Sequence, residues 1–347
     1  MTTLRLRRPD DWHLHLRDGE MLAAVLPHTA ARFARAVVMP NLAPPVTTTA
    51  AALAYRNRIL AALPAGSDFE PLMTLYLTDN TPADEIRRAA ESGVVVGVKL
   101  YPAGATPNAD SGVTDVRHCD HALAAMEETG LVLQVHGEVT RGEIDVFDRE
   151  RVFIETVLAP LAARFPRLKI VLEHVTTADG VGFVREAREG VAATVTPQHI
   201  LLNRNALFAG GLRPHHYCLP VLKAERHREA VCEAATSGED RFFLGTDSAP
   251  HARRRKESDC GCAGIYSAHA GIELYAEAFE AAGRLDRLEA FASLNGPAFY
   301  GLPVNDEVIE LAREPWTVPA SYPAGEDALV PMRAGEAVAW RLAGPAP

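Results

Sequence analysis

His13 and His15, in DWHLHLRD, are two residues apart. On an extended strand alternate residues share a face, so the two imidazoles project together while Leu14 and Leu16 point the other way. Three more residues of metal-ligating type close apolar runs further on: His136 after LVLQV, His174 after IVLE, and Asp247 after FFLGT. Burying four histidines and an aspartate is costly unless a cation satisfies them, and nitrogen and oxygen donors without thiolate suit zinc, with manganese or cobalt as alternatives. Lys99, in VVVGVKLYP, is the odd member, since an ammonium is no ligand and its burial is unfavourable. Three readings of it stand: a structural lysine whose head snorkels to water, a Schiff-base nucleophile, or a lysine carboxylated by CO₂ to N6-carboxylysine. The carbamate is an anion whose two oxygens can bridge two metals, and only this reading accounts for the surrounding histidines. Assembled so, His13, His15 and Asp247 hold one zinc and His136 and His174 the other, with carboxylated Lys99 and a hydroxide between them. Two metals about 3.5 to 4 Å apart acidify the bridging water and polarise a carbonyl, which is machinery for hydrolysis.

Such a constellation needs a frame that brings distant residues to one point. Eight short apolar runs, at 4–16, 36–41, 70–78, 94–101, 131–137, 169–175, 191–198 and 241–247, alternate with amphipathic stretches such as EMLAAVLPHTAARFA and DHALAAMEETG. In TPADEIRRAAESG the spacing predicts Thr81 as N-cap, Pro82 at the first helical position, Asp84 on the N-terminal dipole and a left-handed Gly93 at the end. Strand followed by helix, eight times over, predicts an α/β fold, a (β/α)₈ TIM barrel, with an open doubly wound sheet as the alternative. In a barrel the site forms at the carboxyl ends of the strands, where these residues fall. No GxGxxG or GxxxxGK[ST] follows a strand, which argues against dinucleotide or P-loop binding. The chain reads as one unit over 1–347, with the barrel at about 4–300 and a proline-rich C-terminal extension at about 301–347.

The 35 basic and 45 acidic residues leave a net charge of −10, which disfavours nucleic acid and anionic membranes as partners. No apolar run approaches the roughly 20 residues of a bilayer span, and the N-terminus lacks the apolar core of a secretory signal. Five scattered cysteines point to a reducing compartment, hence the cytoplasm. Cys260 and Cys262 fall far short of a zinc ribbon and read as loop cysteines, and the RRRK run at 253–256 reads as local ion pairs or pocket rim. His118, His121, His215, His216, His227 and His269 read as solvated or structural, whereas His199, just past the seventh run, could reach the pocket.

The motifs DWHLHLRDG, VVMPN, GVKLYPAGAT, LVLQVHGEVT, IVLEHVTT, ATVTPQHILLNRN, RPHHYCLPVLK, FLGTDSAPH and ESDCGCAGIYSA run in order from residue 11 to about 270. They resemble the dihydroorotases of the amidohydrolase superfamily, and NGPAFYGLP with the later tail is similar to the short, separately encoded type. The resemblance implies a small-molecule enzyme: reversible closure of N-carbamoyl-L-aspartate to L-dihydroorotate, in pyrimidine synthesis, by a cytoplasmic homodimer carrying two zinc ions per subunit. It implies Asp247 as general acid and base, and Arg17, Asn41 and His251 as a clamp on the substrate carboxylate. It implies contacts from the backbone near Leu219 and Ala263 to the ring amide, and a mobile loop carrying Thr106. The family pattern has two neighbouring threonines in that loop, and here Pro107 follows Thr106. Proline lacks an amide hydrogen, so one loop donor is lost and weaker carbamoyl aspartate binding is expected. Hydantoinase or allantoinase activity, a Schiff-base aldolase and a non-catalytic scaffold are the alternatives, the last disfavoured because every ligand position is filled.

Overall fold

The computed structural model describes residues 2–106, 109 and 111–345. A short first strand, β1 (Thr3–Arg7), precedes eight strands: β2 (Asp10–Leu14), β3 (Arg35–Val38), β4 (Glu70–Tyr76), β5 (Val95–Leu100), β6 (Val132–Val135), β7 (Ile170–Leu172), β8 (Val191–Val195) and β9 (Phe242–Leu244). β2 to β9 lie side by side in chain order, every neighbouring pair parallel. The sheet closes where Leu14 pairs with Ser248 and the Asp247 amide donates to the His13 carbonyl at 2.7 Å. Helices connect the strands and cover the outside, so the fold is the (β/α)₈ barrel.

Strands buried on both faces read as continuous apolar runs, and here each face has its own core. Inside the barrel, Trp12, Val37, Leu72, Val132, Val171, Ala192 and Phe243 pack with Val96, one residue from each of the eight strands. The helix Asn295–Tyr300 plugs the base, Tyr300 stacking on Trp12 with ring centroids 4.4 Å apart. Gly296 lets this helix approach, because a Cβ there would stand 1.9 Å from Trp12 Nε1. Ala36, Val38, Met73, Val98, Leu133 and Ile170 face outward into the larger core beneath the helices.

Three local features differ from the sequence expectation. The run at 4–16 is two strands, because Pro9 cannot donate to a ladder; only its carbonyl is used, accepting from the Ala34 amide at 2.9 Å. The barrel therefore begins at Asp10, and β1 pairs antiparallel with β10 (Val308–Ala312) in the C-terminal extension. That extension is ordered as small antiparallel ladders: β11 (Trp316–Thr317) with β14 (Ala337–Val338), β12 (Tyr322–Ala324) with β13 (Asp327–Leu329), and β15 (Arg341–Pro345) on β10. Thr81 is not an N-cap. The helix Ala83–Glu91 starts after an extended Pro82, and the Thr81 hydroxyl instead accepts from the Thr78 amide at 2.9 Å; Gly93 takes the expected left-handed turn, φ +69°. No described helix is long and apolar enough to cross a membrane.

Candidate active site

The strand ends gather the residues that the sequence singled out. His13 lies on β2 and His15 one residue past it; Lys99 lies on β5; His136, His174 and Asp247 lie one, two and three residues past β6, β7 and β9. His13, His15, His136, His174 and Asp247 line one cavity, with Tyr101 beside them. His174 and Asp247 hold left-handed backbone, φ +40° and +44°, as does Arg17 at +58°. Such conformations are unfavourable for residues with a side chain and persist where the surroundings fix them. Here the Thr194 hydroxyl accepts from the His174 amide at 2.7 Å, and the Asp247 amide is held by His13.

Proton positions follow from the partners. Buried Glu173 accepts from His13 Nδ1 at 2.7 Å, Asn41 Oδ1 from His15 Nδ1 at 2.7 Å, and buried Glu138 from His136 Nε2 at 2.7 Å. Each hydrogen bond fixes one ring nitrogen as the donor and leaves the other with a lone pair. The lone pairs on His13 Nε2 and His15 Nε2 face Asp247 Oδ1 at 3.4 and 3.1 Å, and those ligand atoms all fall within 4.8 Å of one another. His136 Nδ1 similarly lies 3.2 Å from His174 Nε2. Burial drives five of the groups here toward neutrality. It lowers the His13 imidazole and holds those of His15 and His174 well below the usual range, raises the Asp247 carboxyl, and brings the Lys99 ammonium down to about 8.

Lone pairs converging on one another and on a carboxylate are repulsive until something positive lies between them, so this donor set fits a divalent cation. Lys99 strengthens the fit. Its Nζ is fully buried, without a hydrogen-bond partner among the described residues, 5.2 Å from the centre of the Tyr101 ring. His13, His15 and Asp247 form a group able to hold one ion.

The same cavity also carries residues that the sequence resemblance assigns to substrate. Arg17, Asn41, Thr106, Leu219 and Ala263 all line it. Arg17 is anchored by donating from Nε to the Pro250 carbonyl at 3.2 Å, with Nη2 3.1 Å from His251 Nε2. That ring nitrogen is also 3.0 Å from the Ala263 carbonyl, so His251 couples Arg17 to the loop that carries Ala263. Asn41 supports the His15 ring as well as lining the cavity. Pro107 lies outside the described residues.

His199 is satisfied elsewhere: it is buried, with Nε2 donating to the Pro220 carbonyl at 3.0 Å and Nδ1 2.7 Å from the Thr196 hydroxyl. His118 and His215 meet Asp79 and Glu257 at 3.4 and 2.9 Å, His121 is exposed, His216 and His227 bond to backbone, and His269 is buried against the Tyr266 and Tyr322 rings. Lys256 departs from the expected rim or ion-pair role. It is buried and donates to three carbonyls, Tyr217 at 2.8, Cys262 at 2.7 and Gly264 at 2.9 Å. Sequence reasoning missed Glu138, Glu173 and Thr194. Glu173 stands next to His174 in the chain, yet alternation turns it to the other side, toward His13.

Residues 11–318 match the Amidohydrolase family. The chain is 68% identical to a dihydroorotase of Azoarcus sp. (strain BH72) over 344 residues, 99% of this chain and 100% of that one. Its fold is similar to two solved structures: the dihydroorotase of Campylobacter jejuni, with TM-score 0.90 and 35% identity over 99% of this chain and 98% of that one, and that of Saccharomyces cerevisiae in complex with 5-fluoroorotic acid, with TM-score 0.92 and 32% identity over 99% of both. By fold, by the strand-end His and Asp cluster and by similarity along its whole length, the chain belongs to the amidohydrolase family and, within it, to the dihydroorotases.

Proposed function

We propose that the chain interconverts L-dihydroorotate and N-carbamoyl-L-aspartate, in pyrimidine synthesis, at a centre of two zinc ions. His13, His15 and Asp247 would hold one ion and His136 and His174 the other, with Lys99, as its carbamate, shared between them. Carboxylation needs the neutral amine, and burial that brings Lys99 down to about 8 leaves a usable fraction of it near neutral pH. When bound, the ions supply a nucleophilic water at neutral pH and polarise a ring carbonyl.

The chain's own groups supply orientation and proton transfer. Arg17 grips the substrate carboxylate with two parallel donors, with Asn41 beside it, which fixes the ring over the cluster. Asp247, facing both His13 and His15, takes the proton of the attacking water and delivers it to the departing ring nitrogen, and the roles reverse in synthesis. Backbone groups at Leu219 and Ala263 meet the ring amide, and Thr106 lines the same cavity. The relative from S. cerevisiae holds 5-fluoroorotic acid, a pyrimidine acid, in keeping with a carboxylate-bearing ring. A cytoplasmic homodimer belongs to the same reading and rests on the family resemblance.

The observation that carries this reading over another cyclic-amide hydrolase is the Arg17 guanidinium opening into the same cavity as the ligands. It predicts a strong preference for L-dihydroorotate over dihydrouracil, the same ring without the carboxylate. Arg17→Met should lower kcat/KM for dihydroorotate by roughly 10²-fold or more, the scale of losing one partner of a buried charged pair, and leave dihydrouracil almost untouched. Equal kcat/KM for the two rings in the parent protein would overturn the assignment.

A further inference from the structure

The Cys260 and Cys262 thiols are a nucleophilic pair that the reaction leaves unused. Cys260 is exposed and Cys262 buried, and their Sγ atoms lie 3.1 Å apart, about 1 Å more than the roughly 2.05 Å of a disulfide bond. Gly261 between them has φ +64°, a left-handed turn suited to glycine. The Cys260 thiol is held below its usual range by its hydrogen bond with Cys262, aided by the nearby charges of Arg255 and Lys256. An exposed nucleophilic thiol beside a buried second one is the arrangement that thiol–disulfide exchange requires. The pair is also joined to the cavity. The Cys262 carbonyl accepts from Lys256; the next residue, Ala263, has its carbonyl 3.0 Å from His251 Nε2; and Ala263 and Gly264 both line the cavity.

We propose that Cys260 and Cys262 form a reversible thiol–disulfide site, oxidised by low-molecular-weight disulfides, that acts on the cavity wall at Ala263 and Gly264. The Cys260 thiolate attacks one sulfur of the small disulfide, whose S–S bond breaks and releases one thiolate. Cys262, its proton given to solvent, then attacks Cys260 Sγ and expels the second thiolate. Two protein thiols are oxidised by two electrons, and one small disulfide is reduced to two thiols. The ring closed by a C-x-C bond is small, and strained disulfides have oxidising potentials, so the pair rests reduced in a reducing compartment and closes only under oxidative shift. Closure draws Cys262 toward Cys260 and shifts the following backbone, so the KM for the ring substrate rises. This effect on KM rests on the dihydroorotase reading, whereas formation of the bond does not.

The test equilibrates the full-length, zinc-loaded protein in buffers of oxidised and reduced glutathione, traps free thiols by alkylation, and maps the peptides by mass spectrometry. The Cys260–Cys262 peptide should lose two hydrogens and resist alkylation at oxidising ratios, reversibly with dithiothreitol. Cys119, Cys218 and Cys232 should stay reduced. Cys262→Ser should stop at a mixed disulfide on Cys260. The oxidised protein should show a raised KM at unchanged zinc content, and Cys260→Ser, with ordinary basal activity, should not respond. Full alkylation of both thiols at the most oxidising ratio, or a stable mixed disulfide on Cys260 in the parent protein, would overturn the site. A disulfide that leaves KM unchanged would overturn its coupling to the cavity. Absence of dihydroorotate turnover in the reduced protein would count against the functional reading, and the peptide masses would still decide the thiol site.

Discussion

Glu173 sets the proton on His13 and thereby aims the other ring nitrogen at Asp247. It accepts also from the Thr194 hydroxyl, whose oxygen in turn takes the His174 amide, so one buried carboxylate steadies residues from three strand ends. Replacing it with the neutral isostere, Glu173→Gln, weakens the charge-assisted bond without opening a cavity. Zinc affinity should fall roughly 10 to 100-fold, the usual scale for a lost outer-shell partner, as read by competition with a chelator of known affinity. An unchanged affinity would show that the His13 ring is positioned by packing alone. The candidate ligands were legible in the sequence because each ends an apolar run, and chemistry at a strand end is conspicuous. Their partners were not, since Glu138 and Glu173 reach their histidines through side-chain direction and across the barrel, which no local spacing encodes. Asn41 was legible as a residue, whereas its hydrogen bond from His15 Nδ1 to Oδ1 was not.

At the scale of elements, the loop after β9 is held by a buried cation that meets no carboxylate among the described residues. Lys256 draws together the carbonyls of Tyr217, Cys262 and Gly264, and burial lowers its ammonium to about 8. The two loops it joins carry Leu219 on one side and Ala263 and Gly264 on the other, all at the cavity wall. Lys256→Met keeps the apolar stem and removes the three donors, so it loosens these loops while leaving the His and Asp cluster alone. KM for dihydroorotate should rise roughly tenfold, equivalent to about 1.4 kcal/mol, with little change in kcat. A fall in kcat at unchanged KM would contradict this positioning role. In the sequence Lys256 ended a run of like charges that read as local ion pairs or pocket rim; its burial depends on the turn Arg253–Lys256, which a four-residue charge run does not announce. Strand positions were legible through their apolar runs, whereas the break at Pro9, set among Arg7, Arg8, Asp10 and Asp11, was absorbed into one run because Leu4 and Leu6 on one side and Trp12 and Leu14 on the other share its alternation.

On the scale of the molecule, the barrel was readable because eight strands buried on both faces leave a signal that short loops cannot hide. The extension was not, because its strands are short and are stabilised by pairing with β1 and with one another rather than by any period of their own. Two histidines outside the centre make the stability of the whole fold depend on pH. His28, whose Nδ1 meets the Tyr266 hydroxyl, and His199 are each lowered by burial to about 4 from an ordinary 6.5. The unfolded chain then binds protons that the folded chain refuses, so their contribution is fully present above about 6.5 and is lost as pH falls toward about 4. Urea midpoints should decline over that window, and His28→Gln should decline less; a flat parent profile would contradict the burial argument.

The proposed role of Lys99, joining two metal sites into one hydrolytic centre, is tested by following L-dihydroorotate loss in the ultraviolet alongside zinc content for the parent protein and Lys99→Ala. The parent should turn over with two zinc ions per chain, and the variant should lose bound zinc together with a fall in kcat of roughly 10³-fold or more, since the attacking water is no longer activated. Full zinc content and near-parent turnover in Lys99→Ala would contradict it.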